Sequence, residues 1–441
     1  MKMKIVNLVV IAGLALGLFV APAFAADWPN WRGPNHDGST VAENLPTSFS
    51  TTENVVWAAD MPGVSSATPA IADGRVYLVS NDETRTKLSG MCLDAENGKV
   101  LWSREFVTGT NPTSRNDMAS CSPVTDGEYV YFLFGSSDLF ALDKDGNDRW
   151  SMNLTENFGA IAQGHGYSST PLLLNGRLYI QILRGEWETD LGMKNHTDAD
   201  SKVICLDAET GGVVWNIHRP TDAVGESFDS YTSPIPYERD GKTVIAVMGG
   251  DYITGHDLDT GEEQWRHFHN PRQGMMDRLI PSPVVAGDLV VGLQPRGVDG
   301  FAFSPAEGKT LTYEDSAWIF HEKTSDVATP LVYDGNLFII NGARKQLICL
   351  DPKTGEQHYY EDLDADSRIW SSPTAADGKI YALTEDGQVI IAAASDKFEV
   401  INRINLGSSA PSKASIAIAN NRLFIRTANK LYCVGDANAG D

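Results

Sequence analysis

Several absences bound the function before any motif is read. Past the first 25 residues, no apolar run is long enough to cross a bilayer. Basic residues are scarce: 35 Lys and Arg stand against 58 Asp and Glu, for a formal net charge of −23. That balance excludes a nucleic-acid partner, which requires clustered cations, and docking on anionic lipid. Cysteine is limited to Cys92, Cys121, Cys205, Cys349 and Cys433, with no adjacent pair and no C-x-x-C-H haem site. G-x-S-x-G, H-E-x-x-H and a phosphate-binding P-loop are all missing. Catalytic and metal residues are therefore assigned as none. Aromatics are not scarce: 10 Trp, 14 Tyr and 16 Phe are spread along the chain, which argues against disorder. The 40 Gly and 21 Pro point to a turn-rich, all-β protein.

Residues 1–25 read as an address. Lys2 and Lys4 precede an apolar stretch from Ile5 to Val20, and Ala21-Pro22-Ala23-Phe24-Ala25 supplies an A-x-A site. This is the pattern of a cleavable export signal, with cleavage expected after Ala25. No Cys follows the apolar run, so no lipoprotein anchor is expected, and the mature chain is expected in the periplasm or secreted.

A repeat then decides the fold. Thr68-Pro69, Ser122-Pro123, Thr170-Pro171, Ser233-Pro234, Ser282-Pro283, Thr329-Pro330 and Ser372-Pro373 each lead to a Gly turn and a β-rich run. A worn eighth copy has Ser415-Ile416, then Asn420-Asn421 and Leu423-Phe424-Ile425. Asp-Gly and Asn-Gly between apolar runs are strong hairpin signals. A second half-motif closes most copies: Leu93-Asp94 with Gly98 and Trp102, Leu142-Asp143 with Gly146 and Trp150, and Leu206-Asp207 with Gly211 and Trp215. It returns as Leu258-Asp259 with Gly261 and Trp265, and as Leu350-Asp351 with Gly355 and Tyr359. The Asp caps a tight turn, the Gly takes positive φ, and the aromatic packs beside the next repeat. Two hairpins make one blade of about 40–50 residues.

The expected fold is an all-β, eight-bladed propeller of four-stranded antiparallel blades. Its expected parts are a signal peptide (1–25), an N-terminal strap (26–54), the propeller (55–435) and a tail (436–441). The last copy lacks an outgoing aromatic strand, and Val55-Val56-Trp57-Ala58-Ala59 precedes the first. That N-terminal strand should complete the eighth blade, because a circular array must join first to last to avoid an open edge.

The L-D-x-x-T-G-x-x-x-W pattern resembles the PQQ-like repeat of quinoprotein alcohol dehydrogenases and of BamB-type propellers. Trp28-Pro29-Asn30-Trp31-Arg32-Gly33-Pro34 looks like the W-P-x-W-R-G-P opening of many exported bacterial PQQ-like repeat proteins. The BamB-type resemblance implies envelope or periplasmic protein partners, and a monomer is expected. The quinoprotein resemblance implies PQQ and Ca²⁺ and oxidation of an alcohol or sugar. Those dehydrogenases carry adjacent cysteines over the quinone, which this chain cannot supply. Cys92, Cys205, Cys349 and Cys433 recur at one blade position and read as separate buried thiols.

Residues just before each Ser/Thr-Pro should surround a central funnel. They include Arg115, Asn116, Asp117, His165, Tyr167, Asp229, Tyr231, Asp277, Arg278, Asp326, Arg368 and Trp370. Arg would pair with ligand carboxylates, Asp and Asn would hold a hard cation, and Trp370 or Tyr231 would stack. A solvated rim whose charges pair with one another accounts for the same residues. The leading expectation is a non-catalytic interaction or scaffolding module of the cell envelope with no cofactor. The alternatives are a periplasmic PQQ/Ca²⁺ dehydrogenase and an extracellular glycan-binding propeller. The strap reads either as packing on the propeller through its Trp rings or as a recognition element.

Overall fold

The computed structural model describes residues 26–110, 116–159, 161, 166–183, 201–274 and 276–435. Residues 1–25, where an export signal is expected, together with Arg115, His165, most of the insertion at 184–201 and the tail 436–441, lie outside the described residues.

Each repeat folds as read. In blade 1, Ala70–Ala72, Arg75–Asn81, Lys87–Asp94 and Val100–Thr108 form one antiparallel sheet. Its first turn, Asp73-Gly74, places both residues at positive φ (48° and 71°), which is the hairpin turn whose twist suits the flanking strands. The worn copy manages the same turn with Asn420 and Asn421 (52° and 55°), since Asn tolerates the left-handed region. Blades 2 to 7 occupy 124–153, 172–218, 235–268, 284–320, 331–362 and 374–405. Blade 8 holds Ala417–Ala419, Arg422–Arg426 and Lys430–Val434, and Val55–Asp60 pairs antiparallel with the last of these. The ring is thus closed by the N-terminal strand. One addition was not foreseen: Thr310–Leu311, from blade 5, pairs parallel with Arg266 and His267 at the edge of blade 4.

Two interactions join the blades. The first is an aromatic step. The Trp57, Trp102, Trp150, Trp215 and Trp318 rings each lie over a turn glycine of the next blade: Gly98, Gly146, Gly211, Gly261 and Gly355. A Cβ at any of these glycines would meet the ring at 3 Å or less, so ring and glycine are one fitted unit. Each indole N–H also donates to a carbonyl of that same turn: Ala95, Lys144, Ala208, Leu258 and Pro352, at 2.8–3.0 Å. The second lies at the axis. The hydroxyl before each proline accepts the backbone N–H of its counterpart one blade earlier. Thr68 donates to Ser122, Ser122 to Thr170, Thr170 to Ser233 and Ser233 to Ser282, at 2.9–3.1 Å. Ser282 continues to Thr329, Thr329 to Ser372, Ser372 to Ser415, and Ser415 back to Thr68, at 2.9–3.1 Å.

Burial completes the frame. The five cysteines are free and buried, four of them one strand away from a paired aromatic: Cys92 beside Tyr77 and Trp102, Cys433 beside Phe424 and Trp57. Cys205 lies between Tyr179 and Trp215, and Cys349 between Phe338 and Tyr359. Burial pushes the Cys92 and Cys205 thiols up to about 11, so they behave as small apolar groups. Two buried guanidiniums clip adjacent segments through carbonyls. Arg219 reaches Tyr252 O at 3.0 Å, and Arg426 holds Gly63 O.

The aromatic step generates a prediction. Trp215 is buried, packs on Gly261 and donates to Leu258 O at 3.0 Å. Trp215→Ala should lower stability by about 3–5 kcal/mol in denaturant unfolding. Trp215→Phe, which keeps an aromatic ring and loses the donor, should cost about 1 kcal/mol plus the smaller ring's lost contact. Equal losses for the two variants would contradict this assignment.

Candidate functional site in the central funnel

Antiparallel blades sort their connections onto two faces. First-to-second and third-to-fourth turns lie at one end; second-to-third turns and blade-to-blade links lie at the other. The strap occupies the first face and the funnel opens on the second.

The strap begins as an extra pairing on blade 1. Trp28 and Ile71 exchange both backbone hydrogen bonds (2.9 and 2.8 Å), and Pro29 O accepts from Thr125 N of blade 2 at 2.9 Å. Trp28 is fully buried and its ring lies against Gly33, whose φ is +71°. Arg32 then crosses to the far side of the ring. It donates to Pro373 O and Pro330 O, both at 2.9 Å, and to Asp37 O at 2.7 Å. A side chain at Gly38 would strike this guanidinium. Burial pulls the Arg32 guanidinium down to about 10, which leaves it charged at neutral pH. The chain leaves along blade 7, where Thr40 and Gly38 bond the two sides of Ala375. Of the strap's two Trp rings, Trp28 is buried against the propeller and Trp31 borders the funnel cavity.

Trp31 projects from this strap to the bottom of a cavity of about 730 Å³ that occupies the funnel. The cavity wall follows a rule. The residue two places before each ring hydroxyl borders it: Ser66, Ser120, Ser168, Tyr231, Ile280, Val327, Trp370 and Lys413. Six of the eight ring hydroxyl residues, Ser122, Thr170, Ser233, Thr329, Ser372 and Ser415, also border it, and Arg278, Arg296, Asp326, Arg368, Glu385 and Asn116 stand around it.

The predicted site residues divide accordingly. Asn116, Tyr231, Arg278, Asp326, Arg368 and Trp370 border the cavity. Asp117 instead accepts from Ser66 Oγ (2.7 Å) and Ala119 N (3.0 Å), shaping the loop behind the wall. Tyr167 is buried between blades, its hydroxyl donating to Gln181 O at 2.7 Å. Asp229 is buried, and its backbone carbonyl accepts from Leu279 N. Asp277 is buried and accepts from Gly274 N at 2.9 Å. Arg115 and His165 lie outside the described residues. Sequence reasoning missed Trp31, Arg296, Glu385 and Lys413. Lys413 carries the same signal as Trp370, two places before a ring hydroxyl, but its copy lacks the proline that marked the others.

Positive groups outnumber negative ones on the described wall. Arg278 makes a two-pronged pair with Asp326 at 3.1 and 3.0 Å. Arg296 bonds Glu226 at 2.8 Å; burial, then repulsion from Arg278, lowers its affinity for a proton below the usual arginine range. Each of these two guanidiniums is thus paired with one carboxylate. Arg368 lies 5.9 Å from the Trp370 ring centroid and has no carboxylate partner among the described residues. The fit to calcium is poor. That ion takes six to eight oxygens, whereas Asp326 is engaged by Arg278, and among the described residues no three His, Cys, Asp or Glu side chains converge as a metal site.

These features define a PQQ-like β-propeller with a cationic, aromatic funnel. A family profile described as outer membrane protein assembly factor BamB matches residues 47–190, 196–317 and 302–434. The chain belongs to that family. Its fold is similar to BamB from Moraxella catarrhalis, with a TM-score of 0.57 at 14% identity over 86% of this chain and 98% of that one. It is also similar to a europium-containing methanol dehydrogenase, with a TM-score of 0.65 at 11% identity over 92% and 90%. In sequence it is 27% identical over 227 residues to subunit 1 of a cytochrome c methanol dehydrogenase from Methylobacterium organophilum, covering 48% of this chain and 32% of the enzyme. It is 23% identical over 339 residues to the dehydrogenase subunit of a quinone alcohol dehydrogenase from Komagataeibacter europaeus, covering 67% and 42%. The chain thus spans less than half the length of either enzyme.

The strap analysis generates a test. Arg32→Ala should free the segment 35–47 to limited proteolysis and lower stability by about 1.5–3 kcal/mol, the scale of a charged group's hydrogen bonds. Arg32→Lys should rescue little, because one ammonium cannot span two blades as the planar fork does. Unchanged cleavage in Arg32→Ala would contradict a stapling role.

Proposed function

We propose that this protein is an exported, non-catalytic binding propeller of the bacterial cell envelope, acting as a protein-interaction or scaffolding module. The observation that carries the reading is the funnel's charge. A chain with net charge −23 gathers Arg278, Arg296, Arg368 and Lys413 around one cavity, with Trp370, Tyr231 and Trp31 between them. Such a wall suits a partner segment rich in carboxylates, held by guanidiniums and seated on rings. Membership of a family described by an assembly factor supports a partner protein, and the sequence of residues 1–25 supports export. Among the described residues no helix is long and apolar enough to cross a membrane.

The likeness to methanol and alcohol dehydrogenases favours the second reading, a periplasmic enzyme using PQQ and Ca²⁺. The donor set described above weighs against it.

A fluorescent Glu-rich peptide titrated into the protein separates the two. Binding should weaken with added salt, and Arg368→Ala should cost about 1.5–3 kcal/mol without changing thermal stability. A Lys-rich peptide of equal length should not bind. Indifference to both peptides, together with dye-linked alcohol oxidation once PQQ and Ca²⁺ are supplied, would reverse the order.

A further inference from the structure

Among the described residues, two buried acceptor oxygens beneath the funnel face are without a hydrogen-bond partner: Asp251 Oδ2 and Asn270 Oδ1, with the Ser227 hydroxyl the further polar group beside the Asp251 carboxyl. Asp251 sits in the turn between the second and third strands of blade 4, and Asn270 opens the loop from blade 4 to blade 5. Both residues are at most 2% exposed. Their side chains are already joined, since Asn270 Nδ2 donates to Asp251 Oδ1 at 2.8 Å. The same nitrogen donates to Asp277 Oδ2 at 3.3 Å, which fixes the amide's orientation: the flipped form would set its oxygen against two carboxylates. Two orphaned acceptors on one hydrogen-bonded pair would both be satisfied by a single shared proton.

We propose that Asp251 carries a proton on Oδ2 and donates it to Asn270 Oδ1, closing a two-bond acid–amide ring that latches the loop bearing Arg278 to the funnel. The loop runs from Asn270 to Asp277, and Arg278 follows directly with its pair to Asp326. The surrounding charges favour the proton. Asp222, from the link leaving blade 3, and Asp277 both repel an ionised Asp251. Arg272, the cation on this loop, is spent on Asp277 Oδ1 at 3.3 Å. His269, whose N–H bonds Asp251 O, is held neutral by burial, down to about 3. Tyr252, next along the chain, is raised by burial and stays neutral. Burial pushes the Asp251 carboxyl up to about 6 against the opposing pull of the Asn270 amide and the Ser227 hydroxyl.

The sign follows from linkage. A carboxyl that holds its proton more tightly folded than unfolded adds stability below the unfolded value of 3.8, and that stability is lost as pH rises through about 6. Asp251→Asn supplies an N–H in place of the O–H at every pH. The wild type should therefore lose thermal stability between about pH 4 and 6, a step absent in Asp251→Asn. At pH 7.5 the unfolding constant of Asp251→Asn should be lower by on the order of tenfold or more. Amide exchange across residues 271–278, corrected for intrinsic rates, should quicken over the same pH range in the wild type alone. A less stable Asp251→Asn at pH 7.5, or stabilisation of the wild type by Na⁺ or Ca²⁺ that the variant lacks, would overturn the proposal in favour of an ionised Asp251. If Asp251→Asn does not fold, infrared titration of the wild type decides. A buried protonated-carboxyl band vanishing near pH 6 supports the latch, and no such band overturns it.

Discussion

Eight hydroxyl-to-amide hydrogen bonds run head to tail around the axis, and every other feature is hung on them. Each bond satisfies an N–H at the start of an inner strand, where no neighbouring strand within the blade can do so. The proline that follows in seven copies is suited to the same place, since its missing N–H removes a donor that the crowded axis could not serve. One bond per blade fixes the angular step, and the tryptophan-on-glycine contacts fix it again at larger radius. The two together make the funnel geometry a consequence of the repeat rather than of any one loop.

From that constraint the cavity follows. A hydroxyl locked at each blade sets the position two residues earlier on the wall, so eight otherwise unrelated side chains face one space. The strap makes that space a pocket by bringing Trp31 to its floor, with Arg32 anchored on the carbonyls of Pro330 and Pro373, the residues just after two ring hydroxyls. The floor and the wall are therefore referenced to the same ring. Beneath the rim, the loop carrying Arg278 is braced by Asp277 and Asn270, so the funnel's charge is held by buried polar groups rather than by solvent-exposed chain.

The fold was legible because each local signal repeats. Asp73-Gly74 alone is only a turn, but eight such turns at blade spacing leave few architectures. The closing strand was legible from an imbalance, with Trp57 at one end and no outgoing aromatic at the other. The funnel was only half legible. Tyr231, Arg278, Arg368 and Trp370 were found because charge and aromatics stand out near a Pro marker. Tyr167 and Asp117 carry the same chemistry in the same sequence window, yet face the inter-blade core and a loop turn. Side-chain direction in a blade-to-blade link is set by tertiary packing, which spacing does not encode. Trp31 was out of reach altogether, because nothing local says that a strap from one face reaches a cavity open on the other. The Ser and Thr of the ring were plain in the sequence, but they read as companions of proline rather than as a hydrogen-bonded circle.

The central claim is that a closed ring, joined by the strand Val55–Asp60, holds the funnel. Native-state hydrogen exchange on those six residues tests it most directly. The account predicts that their ladder amides, paired with Lys430–Val434, exchange only through global unfolding, with protection equal to that of Arg75–Asn81. Rapid exchange of Trp57 to Asp60 while the other blades stay protected would show an open ring and contradict it.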